Sequence, residues 1–239
     1  MITQGWKLRH IAKGTLTWVP ALNRLRLKKV STGGTNSARY CYAVWLRHLV
    51  MLNYQGFKIN GTHIGELGPG DSIDTGLAAL LSGAASYVGL DVFTFSVNAN
   101  LDLILDELVE LFSRREPIPD NDEFPRIRPA LKTYKFSDQA VEWESFDNRV
   151  DRIRAELKNG LEDSQYVRYR APWSSVEDIE RSSLDLLFSQ AVLEYADPLE
   201  NAYQAMSLWI KPGGYASHRI SFSATYLSPF WNGHWAYAE

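Results

Sequence analysis

The first stretch whose residue types could do chemistry is a glycine-rich turn set among acids, Glu66-Leu67-Gly68-Pro69-Gly70-Asp71-Ser72. A short apolar run, Thr62 to Leu67, precedes it, and an Ala- and Leu-rich stretch, Ile73 to Leu81, follows. The pattern is that of a strand, a tight turn and a helix. Glycine lets the backbone turn sharply and approach a ligand closely. A second apolar run, Ser86 to Leu90, ends in Asp91, which lies 23 residues after Gly68. A carboxylate at that strand end can accept hydrogen bonds from ribose hydroxyls. A G-x-G-x-x-G dinucleotide fingerprint would need glycine at position 73, where Ile73 stands. The Glu66 carboxylate would also repel a pyrophosphate, whereas it would attract a cationic ligand.

Proton transfer calls for histidine or a carboxylate near the reacting group. His10 and His48 fall in a basic segment and are expected at the surface. His63 opens the first strand, at the end away from the turn. His218 lies on the last strand, and His234 lies in the cluster Trp231-Asn232-Gly233-His234-Trp235. These two and Glu194, just past the fourth strand, are the candidate catalytic residues. The faces of Trp231 and Trp235 suit a sugar-stacking platform. Asp120, Asp122 and Glu123 have no histidine near them and read as a solvated acidic face, so no metal is expected. Cys41 is the only cysteine, which excludes an internal disulfide and a cysteine-based zinc site.

These residues must be held by the surrounding elements. A helix is expected over Ala38 to Asn53, and an amphipathic helix over 99 to 113, where Leu101, Ile104, Leu105, Leu108, Leu111 and Phe112 recur at three and four. Further strands are expected at Gln165 to Arg170, Leu184 to Ser189 and Tyr215 to Phe222. Asp197-Pro198-Leu199-Glu200 predicts a helix start capped by Asp197, and Lys211-Pro212-Gly213-Gly214 predicts its stop. Strand–helix alternation implies an α/β fold with a mostly parallel sheet. Residues 114 to 150 carry Pro117, Pro119, Pro125 and Pro129 without a period, and read as an insertion covering the acceptor side, a lid.

Four ordered motifs together resemble the class I S-adenosylmethionine-dependent methyltransferases: Glu66-Leu-Gly-Pro-Gly, Asp91 in Tyr87-Val-Gly-Leu-Asp, Ser183 to Glu194, and Leu208-Trp-Ile-Lys-Pro-Gly-Gly214. The match covers about residues 62 to 222, with Ser72 where the family loop usually has a third glycine. More narrowly, the chain resembles a bacterial subgroup associated with cell-surface polysaccharide genes, through Ala191-Val-Leu-Glu, Ser217-His218 and Trp231-Asn-Gly-His-Trp. The resemblance implies a Rossmann-like parallel sheet and S-adenosylmethionine as cofactor. It implies that Glu66, Gly68, Gly70, Asp71 and Ser72 line the methionine and ribose portion, and that Asp91 holds the ribose with Val92 beside the adenine. Trp173 would face the adenine ring, and Ser189 and Gln190 would border the methyl group. Family members usually continue past the fifth strand with a strand hairpin; 17 residues follow Phe222, so the hairpin is expected to be missing.

Composition bounds the remaining classes. With 239 residues, 45% hydrophobic and 22% charged, the chain is an ordinary globular one and neither disordered nor fibrous. Residues 1 to 60 hold ten Lys/Arg and no acid, while the rest hold 15 basic and 28 acidic residues. The basic helical N-terminal extension over 1–60 is therefore expected to meet something anionic, with 61–239 as the methyltransferase domain. The Trp and Leu among its cations suit peripheral contact of residues 1–30 with a membrane face. Pairing with the acidic remainder of the chain is the plainer alternative. No Asn/Asp-Pro-Pro-Tyr-type run follows the fourth strand, which sets nucleic acid behind a small-molecule or glycan acceptor. A non-catalytic S-adenosylmethionine-binding protein is the alternative outside enzymes. With no secretory leader evident, a cytoplasmic location is expected.

Overall fold

The computed structural model describes residues 35, 37–94, 100–161, 164–173 and 175–223. Among them lie five helices of two turns or more: α1 Ala38–Tyr54, α2 Asp74–Ser82, α3 Leu101–Ser113, α4 Phe146–Asn159 and α5 Leu199–Trp209. Five strands alternate with them, β1 His63–Leu67, β2 Ser86–Leu90, β3 Val167–Arg170, β4 Leu184–Gln190 and β5 Ile210–Arg219. They form one sheet in the order β3-β2-β1-β4-β5, and every neighbouring pair is parallel. This is the doubly wound order, in which the direction of succession reverses between β1 and β4. Residues 1–34 of the expected basic helical extension and everything after Ser223, including His234 and the expected missing hairpin, lie outside the described residues.

Alternation along the strands divides the core in two. Ile64, Tyr87, Val167, Leu186 and Phe188 face α1 to α4. Leu67, Val88, Leu90, Leu184 and Leu187 face α5. Both faces of a parallel sheet are buried, so its strands read as apolar runs rather than as alternating ones. Helix α1 begins at Ser37, whose side chain accepts from Tyr40 N, and buries Tyr42, Trp45, Leu46 and Leu49. Its first turn stands beside the glycine turn, since Ser72 Oγ donates to the Thr35 carbonyl.

Two boundaries differ from expectation. Strand β5 starts at Ile210 and runs through Lys211-Pro212-Gly213-Gly214, which the sequence marks as a loop. It is an edge strand with an irregular register between Leu184 and Leu186, and an edge tolerates proline and glycine. Helix α5 is preceded by Pro198 at the cap position, with no side-chain cap, rather than by Asp197.

The insertion occupies 114 to 145, because α4 begins at Phe146. Arg47 of α1 is wholly buried and holds its first half. Its guanidinium donates to the carbonyls of Pro119 at 2.7 Å, Pro129 at 2.9 Å and Ile127 at 3.2 Å, and to Asn121 Oδ1 at 3.0 Å. Arg39 pairs with Glu123, and Tyr40 packs edge-on against Phe124 at 5.8 Å. The second half turns to the other end of the sheet: Glu142 N donates to Ser82 O, at the end of α2 farthest from the glycine turn. That corrects the expected lid. Residues 138–145 are on the amino edge, and only 119–129 remain beside the carboxyl edge, through α1.

Candidate functional site

The glycine turn leaves β1 at the point where the strand order reverses, the position where open α/β sheets take their ligands. Gly68 and Gly70 have φ of 63° and 78°, a conformation that costs a side-chain-bearing residue energy. Gly68 N donates to Leu90 O at 2.7 Å, tying the turn to β2. Gly70 N donates to Asp91 Oδ2 at 3.1 Å, and Val92 N donates to Asp91 Oδ1 at 2.7 Å. The Asp91 carboxylate, 5% exposed, is thus aimed by two backbone donors and keeps lone pairs for a ligand. Burial lifts its pKa, and the backbone donors act against that.

Glu66 is 2% exposed and accepts from Tyr87 Oη at 2.6 Å. The Tyr87 ring reaches it across Gly76 of α2, where an added Cβ would stand 2.2 Å from the ring. Burial pushes the Glu66 carboxyl up to about 8, despite the tyrosine's hydrogen bond. Asp74, at the start of α2, is fully buried, and neither of its carboxylate oxygens has a partner. Burial lifts it to about 7. No lysine or arginine occurs between Lys58 and Arg114, so the segment that supplies the turn carries acids only. Such a site disfavours a phosphate and favours a cation.

The register brings further groups to the same edge. Leu67 pairs with Leu90 and with Ser189, and Ser189 pairs with His218. Gly68, Asp91, Gln190 and Arg219 therefore end four adjacent strands at one level. Ser189 is buried, and its Oγ lies 2.8 Å from His218 Nδ1, on the α5 side of the sheet. His218 Nε2 is buried without a partner, and burial lowers the ring's pKa. Glu194 accepts from Ser221 N at 3.2 Å and faces Arg219 at 3.5 Å, so it is a paired group. Val92 is exposed. The Trp173 indole packs edge-on against Trp209 at 5.4 Å, and the backbone N–H of Trp173 donates to Asp91 O at 2.9 Å. Ser72 is buried and its Oγ accepts from Asp74 N at 3.3 Å. Asp71 is half-buried at the turn. Val192 stands over Gly68, its methyl carbon 2.6 Å from where a Cβ would be, and so borders anything bound there.

His48 corrects the expectation of a surface group. It is 2% exposed, with Nδ1 2.7 Å from Ser217 Oγ and Nε2 3.2 Å from Gln190 Oε1. The sequence held the signal. His48 follows Trp45 by three residues and precedes Leu52 by four, which puts it on the apolar stripe of α1. A surface pocket of about 470 Å³ lies between α5 and β5, lined by Tyr203, Met206, Lys211 and His218 among others. None of the glycine-turn residues lines it. No group of His, Cys, Asp and Glu suited to a metal ion occurs among the described residues.

No protein-family model matches the chain, and no curated protein is similar to it in sequence. Some solved structures align with part of it at low identity. A Methanococcus maripaludis protein assigned to the S-adenosyl-L-methionine-dependent methyltransferases aligns over 76% of this chain and 56% of its own, with a TM-score of 0.39 and 12% identity. An S-adenosylmethionine-dependent methyltransferase of Mesorhizobium loti aligns over 70% and 49%, with a TM-score of 0.33 and 15% identity. Phosphoethanolamine N-methyltransferase 2 of Haemonchus contortus, solved with S-adenosyl-L-methionine, aligns over 72% and 27%, with a TM-score of 0.37 and 17% identity. The chain thus spans from about a quarter to just over half of these proteins. The class defined by its own topology and site is a Rossmann-like α/β sheet with an acid-lined glycine turn at the switch point.

Proposed function

We propose that this chain is an S-adenosylmethionine-dependent methyltransferase whose acceptor is a hydroxyl of a small molecule, glycan or lipid-linked saccharide. The observation that carries the reading is the pairing of the Gly68–Gly70 turn with Asp91 in a segment without basic residues. The residues fit this donor in charge and in hydrogen-bonding capacity. Asp91 retains acceptor capacity for two ribose hydroxyls, and Glu66 and Asp74 are buried carboxyls that a bound sulfonium or ammonium would draw toward ionisation. When bound, S-adenosylmethionine supplies an electrophilic methyl group. The chain's own contribution is to hold and align, which suffices for a displacement whose leaving group is already activated. Ser189, Gln190 and Ser217 supply the neutral polar groups nearest that edge, suited to an uncharged oxygen acceptor.

The acceptor reading as a glycan comes from the sequence resemblance, whereas peripheral membrane contact through residues 1–30 comes from the cations mixed with Trp and Leu in that segment. Calorimetry with S-adenosylmethionine and S-adenosylhomocysteine tests the donor; absence of binding by both would overturn it. Transfer of a tritiated methyl group to a panel of monosaccharides and lipid-linked saccharides tests the acceptor. Co-sedimentation with anionic vesicles at low salt, lost at high salt and on deletion of 1–30, is expected for membrane contact. No pelleting at low salt removes that part.

A further inference from the structure

Gln190 ends β4 at the level of Gly68, and its side chain lies on the α1 face of the sheet. There it meets His48, whose ring is sealed between Phe188, at 5.3 Å, and the hydroxyl of Ser217. A neutral imidazole carries one N–H and one lone pair. The contact of Nε2 with the carboxamide oxygen requires the proton on Nε2. Nδ1 is then an acceptor, and Ser217 Oγ–H donates to it at 2.7 Å. The neutral form follows from burial, which pushes His48 down to about 4 even though the bond to Gln190 opposes the shift. With the Gln190 oxygen engaged by the ring, what the carboxamide still offers is its N–H pair.

We propose that Gln190 is the specificity residue of methyl transfer, presenting N–H to an oxygen lone pair of the acceptor, and that His48 is the positioning residue that holds its carboxamide in this orientation. The proposal rests on the methyltransferase reading above and narrows its acceptor. An alcohol or carboxylate oxygen can take that hydrogen bond and keep a second lone pair for attack. A protonated amine, which only donates, would face N–H against N–H. Methyl transfer to the alcohol forms the C–O bond as the C–S bond breaks, and the hydroxyl proton leaves to solvent. The products are an ether and S-adenosylhomocysteine.

Two measurements on the full chain test this. Long-range 15N–1H spectra of the wild type read the imidazole directly. His48 is expected as the neutral Nε2–H tautomer from pH 5.5 to 8. The Nδ1–H tautomer would reverse the Gln190 carboxamide, and either it or an imidazolium at pH 7 overturns the proposal. Calorimetry then compares S-adenosylmethionine with S-adenosylhomocysteine in the wild type and in Gln190→Glu. A carboxylate at the methyl-transfer point should raise the preference for the sulfonium about tenfold. An unchanged ratio in a variant that binds both ligands removes Gln190 from that point. If Gln190→Glu does not fold, the wild-type spectra still decide. A wild type that binds neither ligand refutes the methyltransferase reading itself, an outcome distinct from an unchanged ratio.

Discussion

Asp91 is the residue on which donor binding should depend most. Both of its oxygens are aimed by backbone N–H groups, so Asp91→Ala removes a prepared acceptor and frees the turn it restrains. Loss of two hydrogen bonds to a charged group, at about 1.5–3 kcal/mol each as an upper bracket, should weaken S-adenosylhomocysteine binding by at least about tenfold in calorimetry. Glu66 and Asp74 carry a pH dependence. Both are acids whose folded pKa is raised, to about 8 and about 7. A raised acid favours the folded state while protonated. The stability it contributes is complete below the unfolded value near 4, falls as pH rises, and is gone above the folded pKa. Urea midpoints of the ligand-free chain should therefore fall from about pH 5 to about pH 8. Glu66→Gln and Asp74→Asn should flatten that slope. A cationic donor draws these carboxyls toward ionisation, so its affinity should rise over the same interval.

At the scale of elements, two contacts tie the site to its scaffold. Helix α2 can lie on β2 only because residue 76 lacks a side chain where the Tyr87 ring crosses to Glu66. Gly76→Ala should destabilise the fold by about 1–3 kcal/mol by overpacking, readable as a lower urea midpoint with an unchanged slope. The other contact is the clasp of Arg47 on the insertion. Four acceptors converge on one buried guanidinium with no carboxylate among them, so removing it leaves carbonyls without a donor. In Arg47→Met, residues 119–129 should loosen locally. Limited trypsin digestion should cut faster after the exposed Arg126, while hydrogen exchange in α2 and the glycine turn stays as slow as in the wild type.

Across the whole described molecule, the ligand edge is where the two halves of the sheet diverge. Strands β3, β2 and β1 are wound one way and β4 and β5 the other, which opens a crevice above β1 and β4. Gly68 and Gln190 flank that crevice from its two sides. A ligand seated there bridges both halves and should stabilise the fold as a unit. S-adenosylhomocysteine at a hundred times its Kd should add about 2.7 kcal/mol. At the same ligand concentration the rise in thermal midpoint should fall to about half or less in Asp91→Ala and persist in Arg47→Met, a contrast scanning calorimetry can read. No helix among the described residues is long and apolar enough to cross a membrane.

The linear sequence determined the elements and the glycine turn, because both are local. Apolar runs bounded by glycine make strands, a three-and-four spacing makes helices, and a turn that needs positive φ at two positions shows as Gly68 and Gly70. Asp91 was legible because the end of β2 is set by the length of one strand–helix–strand unit. Only the tertiary structure decided which side chains meet across long separations. His48 stands 142 residues from Gln190 and 169 from Ser217, and a histidine among cations looks solvated until α1 is laid on β4 and β5. Arg47 reads as one more positive charge until the insertion folds its carbonyls around it. The start of β5 was misread for the same reason: proline and glycine stop an isolated strand, whereas an edge position supplies one partner and asks no donor of the other side. Burial likewise has no local signature at Glu66 and Asp74. Their raised pKa values come from the apolar layers that α1, α2 and the sheet close around them.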